Sequence, residues 1–220
     1  WAHAHKPGLE SFFTLWHAVL YSGFFALAGV TLWGWRARTR AAEPLGETRL
    51  SLLGVGIFLV GGVADLVWHT VFGIEVNIEA LLSPTHMLLA IGMFLMVSGP
   101  LRRAWRLCKS GRPGLPALVA ASLLLALIAF FTQFLQPGGR PWPLAGNKPT
   151  FALFTVEGVT PDFPVFPGGV PSGEIGIILG MGGMLFATVL AVGVSLLLAS
   201  RFELRFGHLT LVLGLAAILL

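Results

Sequence analysis

Residues 50–72 read LSLLGVGIFLVGGVADLVWHTVF. No residue from 50 to 64 is charged, and a helix of roughly 20 apolar residues crosses about 30 Å of hydrocarbon. The stretch then places Asp65 and His69 inside the same segment. It therefore predicts a membrane-crossing helix that carries a carboxylate. A charge within a span costs about 2.5–3.5 kcal/mol on insertion scales, so one retained there is expected to have a partner.

The rest of the chain agrees with that reading. Of 220 residues, 55% are hydrophobic and 11% are charged. A soluble domain carries about 25% charged residues. An integral membrane protein follows, as a single domain over 1–220. Nothing alternates as a strand does, so the predicted fold class is all-α, a polytopic transmembrane helical bundle with the lipid bilayer as its main partner. The net charge of +4 does not point to nucleic acid, because the basic residues sit in a few short loops. Cys108 is the one cysteine, which excludes an internal disulfide and a thiolate metal site.

Hydropathy predicts about six spans: 12–35, 50–72, 85–101, 115–135, 174–200, and an incomplete one over 207–220. Ser83 and Pro84 open the third as N-cap and first helical residue. Glycines at 54, 56, 61 and 62, and at 176, 180, 182 and 183, predict close helix packing. Residues 136–173 are rich in Pro and Gly and are read as an extracytoplasmic cap loop. No Met precedes Trp1 and the chain ends in LGLAAILL, so the sequence is expected to be a mature or trimmed segment of a longer protein.

Eleven of the fourteen basic residues fall in the loops after spans one, three and five. The positive-inside rule makes that side the cytoplasm, with the N-terminus outside. The expected location is a bacterial cytoplasmic membrane. Further membrane subunits or a homo-oligomer stay open as partners.

The polar residues share one depth. His17 lies about 9 Å from the outer end of span one, Asp65 about 10 Å and His69 about 5 Å from the outer end of span two, at 1.5 Å per residue. His86 falls in the first turn of span three. Asp65 and His69 are an i,i+4 pair on one helix face. His17, Asp65, His69 and His86 are therefore predicted to surround one metal ion, with His3, His5 and Glu75 as further candidates just outside. Imidazole with carboxylate suits zinc, copper, iron or nickel. Catalytic residues are not assigned.

Two resemblances bear on the metal. Asp65-x3-His69 followed by His86 resembles the metal-binding pattern in the C subunit of copper membrane monooxygenases, although here the interval to His86 is longer and contains a loop. Residues 2–8, AHAHKPG, resemble the mature start of periplasmic copper-resistance proteins. Both imply copper, in copper handling or in a subunit of a copper-dependent, monooxygenase-like oxidoreductase. Three alternatives stay open. A membrane zinc hydrolase of the alkaline ceramidase and adiponectin-receptor type would use Ser22, but its His-x3-His pair is missing. A haem b electron-transfer subunit would pair His17 with His69 or His86. An accessory subunit would have no site of its own.

Overall fold

The computed structural model describes residues 15–73, 82–107, 111–132 and 172–219. They form seven α-helices, with no strand among the described residues: α1 (Leu15–Arg40), α2 (Gly46–Phe72), α3 (Pro84–Val97), α4 (Gly99–Leu107), α5 (Leu115–Phe131), α6 (Ser172–Arg201) and α7 (His208–Ile218). The all-α fold is as predicted. Expectations for His3, His5, Glu75 and Cys108 lie outside the described residues, as does the 136–173 loop except for its last two residues, which belong to α6.

The count of about six spans is not confirmed. Three helices, α1, α2 and α6, are long and apolar enough to cross a membrane, and α3 with α4 make a fourth if the bent pair is one span. α5 and α7 have 17 and 11 residues, short of the roughly 20 a crossing needs. Large apolar side chains such as Val19, Phe25 and Trp33 on α1, Leu59 and Val63 on α2, and Leu185 and Val189 on α6 are exposed. In water such a surface would be a liability, whereas lipid covers it at no cost. The protein is an integral membrane protein.

α2 and α3 form the central pair. The buried positions of α2 include 47, 51, 54, 58, 61 and 65, and those of α3 are 85, 89, 92 and 96. Both stripes step by three and four, as in an antiparallel coiled-coil seam. Glycines let the backbones touch: a Cβ at Gly54 would lie 2.7 Å from the Gly92 carbonyl oxygen, and one at Gly61 would lie 3.1 Å from the Leu89 nitrogen. α1 runs antiparallel to α2, with Phe24 stacked on Phe58 at 4.5 Å, Tyr21 against Gly62, and Arg38 donating to Thr48 at 2.7 Å. A second core joins α5, α7 and the end of α6 through Leu118, Leu125, Leu198, Phe202 and Val212.

The third span does not run straight to 101 as hydropathy suggested. α3 ends at Val97 and α4 leaves at an angle of 40°. Pro100 has no N–H to continue the helical ladder. Arg102 holds the bend: its guanidinium donates to the carbonyls of Glu47 and Leu95, at 3.1 and 3.0 Å, and to the hydroxyls of Ser51, at 3.0 Å, and Ser98. Nearby, Arg106 pairs with Glu47 at 2.7 Å and Arg103 with Glu43 at 3.2 Å. Arg201 donates to the Trp105 carbonyl and lies over its ring. These partners explain why α2 begins at Gly46, four residues before the expected start at 50: Glu47 is buried but paired. They also gather the basic loops at one end of the bundle, opposite Asp65.

Candidate metal centre

At the other end of the α2–α3 seam, the stripe that runs through Gly54, Phe58 and Gly61 finishes on Asp65, which is 1% exposed. A carboxylate so placed needs partners. One turn on, His69 presents Nε2 at 3.5 Å from Asp65 Oδ1. From α3, His86 presents Nε2 at 3.7 Å from the same oxygen, and Thr85 donates its hydroxyl to it at 2.7 Å. The two imidazole rings stand edge to face with centroids 5.8 Å apart. Candidate ligand atoms of Asp65, His69 and His86 all lie within 4.8 Å of one another. A buried Asp/His/His group of this kind can hold a metal ion.

Local structure aims both rings. α2 ends at Gly73, whose φ of 83° falls in the left-handed region that favours glycine. Its N–H closes the helix on the His69 carbonyl at 3.1 Å, and its own carbonyl accepts from His69 Nδ1 at 3.1 Å. A carbonyl can only accept, so Nδ1 carries the hydrogen, and a neutral His69 ring has its lone pair on Nε2, facing Asp65. α3 opens as expected, with Ser83 as N-cap and Pro84 at the first position. Ser83 Oγ also meets His86 Nδ1 at 2.6 Å.

For scale, two ligands bound tetrahedrally at 2.0–2.1 Å from one ion are separated by about 3.3 Å. The 3.5 and 3.7 Å separations are close to that spacing. Bis-histidine haem ligation would need both Nε2 atoms to face an iron across a macrocycle. Here both converge on a single carboxylate oxygen.

The structure thus brings three of the four predicted ligands together. His17 stands outside the group of three. It sits on α1 with its ring centroid 6.4 Å from that of Tyr21. Continuing the α1–α2 register one turn beyond Tyr21 and Gly62 brings His17 level with Asp65 and Leu66. Sequence reasoning missed Thr85 as the Asp65 partner and Ser83 as a His86 partner. The only signal is their position beside His86 in the Ser83-Pro84-Thr85-His86 turn, a pattern that by itself indicates no more than a helix cap.

No protein-family model matches the chain, and no curated protein or solved structure matches it.

Proposed function

We propose that this membrane protein binds one copper ion at Asp65, His69 and His86, near the extracytoplasmic face, and that its role is copper handling: capture of the ion and its delivery. The convergence of two imidazole nitrogens on one buried carboxylate oxygen, at 3.5 and 3.7 Å, carries this reading. An N,N,O donor set suits copper or zinc among common metals, and the resemblance of Asp65-x3-His69…His86 to the copper monooxygenase C subunit favours copper. His17, level with Asp65, is the fourth candidate ligand. With four ligands the site is closed and suited to holding and passing an ion. With three, a position stays open and redox catalysis becomes accessible.

Elemental analysis and electron paramagnetic resonance of the purified protein test the reading. The expected result is about one copper per chain with nitrogen hyperfine structure. Zinc alone would replace the copper assignment. A Soret band would replace it with haem. No bound metal, and none taken up from added Cu²⁺ or Zn²⁺, would overturn it.

The outward orientation in this proposal rests on the positive-inside rule, with the arginines of the loops and of α4 at the end opposite Asp65 taken as the cytoplasmic side. In a Cys108→Ser background, Phe72→Cys is expected to react with an impermeant maleimide in intact cells, and Thr39→Cys only after permeabilisation. The reverse pattern would invert the topology.

A further inference from the structure

The hydrogens around the centre can be counted. Thr85 donates its only hydroxyl hydrogen to Asp65 Oδ1 at 2.7 Å. In its 3.3 Å contact with Ser83 Oγ, Thr85 can then only accept, so Ser83 is the donor. That uses the one hydrogen of Ser83. At the 2.6 Å contact with His86 Nδ1, Ser83 Oγ must therefore accept, and the ring must donate. Ser83 Oγ also accepts the His86 backbone N–H at 3.4 Å, which fills its second lone pair.

We infer that Thr85 and Ser83 are positioning residues: the chain Asp65–Thr85–Ser83–His86 fixes His86 with its hydrogen on Nδ1 and turns its Nε2 lone pair towards Asp65. His69 reaches the same tautomer by a different route, through the Gly73 carbonyl. The carboxylate that shares the site with the rings thereby also selects the tautomer of one of them. A metal binds the lone pair of a neutral imidazole, and the hydrogen bond at the other nitrogen decides which lone pair is offered. The consequence for affinity rests on the metal reading proposed above, whereas the consequence for the tautomer does not.

The test uses the full chain, purified in detergent, labelled with ¹⁵N-histidine and kept at about pH 8, above the ordinary imidazole pKa near 6.5. Two-bond ¹⁵N–¹H couplings distinguish the tautomers, and loss of signals in His86→Gln assigns the ring. His86 is expected as the Nδ1–H form in the wild type. Thr85→Val keeps the shape but removes the acceptor, so Ser83 is released to donate to Nδ1 and His86 shifts to Nε2–H. Thr85→Ser restores the wild-type spectrum. In Zn²⁺ titrations Thr85→Val is expected to bind about 10–100-fold more weakly, the range for losing an outer-shell partner, and Thr85→Ser to bind like wild type. An Nε2–H tautomer at His86 in the wild type would overturn the inference even where the valine variant does not fold, and so would an unchanged tautomer in Thr85→Val. If wild type binds no metal, the metal reading falls, and the spectra still decide the hydrogen-bond chain.

Discussion

Gly54→Ala is expected to destabilise the protein by about 3 kcal/mol, the upper part of the usual range for overpacking. The added methyl would lie 2.7 Å from the Gly92 carbonyl oxygen, 2.8 Å from Leu95 Cβ and 2.9 Å from the Met96 nitrogen. All three are backbone or Cβ atoms, so no side-chain rotation makes room and α3 must move away. Gly56→Ala, two residues along the same helix, is the control. Nothing lies within 4 Å of a Cβ there. Helix propensity alone favours alanine over glycine by about 0.8–1 kcal/mol, so this variant is expected to be neutral or stabilised. Denaturant unfolding in mild detergent, followed by circular dichroism, measures both. Equal stability of the two variants would mean that the α2–α3 seam is not as tight as described. Because Asp65 and His86 face each other across that seam, Gly54→Ala should also weaken metal binding without altering any ligand.

The larger effect on metal is expected at the ligands themselves. His69→Ala and Asp65→Ala should each reduce affinity by about 100-fold or more, since even an outer-shell partner is worth about 10–100-fold. Asp65→Asn is the more informative change. It keeps the shape and an oxygen for the Thr85 hydroxyl, but removes the charge that two imidazole nitrogens face at 3.5 and 3.7 Å. Loss of metal in Asp65→Asn with unchanged unfolding would separate the electrostatic role of Asp65 from its packing role. His208→Ala is the reference. That ring lies at the start of α7, where its Nδ1 accepts from the Arg205 N–H at 3.1 Å, and its removal should leave metal content unchanged. Full metal content in His69→Ala would remove the site as proposed.

The long helices and half of the site were legible in the residues alone. Long uncharged runs cannot be anything but helices in hydrocarbon, because each backbone group must be satisfied within its own segment. That argument fixes α1, α2 and α6 to within a few residues at the described ends. The Asp65–His69 pair was equally legible, since i,i+4 neighbours share a face whatever the tertiary structure. The Ser83-Pro84 start of α3 is local chemistry of the same kind. Hydropathy does not report where a helix bends or whether an apolar run becomes a long helix, so Pro100 broke the third span, and the 17-residue α5 stands where a full crossing was expected. What lies across the seam depends on how the helices pack. Gly54 and Gly92 set how closely α2 and α3 approach, and that distance brings Thr85 and His86 onto Asp65. It is also the tertiary packing that leaves His17 level with the centre but outside the group of three. Common depth is a property of each helix alone, whereas a shared ligand sphere depends on how each helix is rotated against its neighbours.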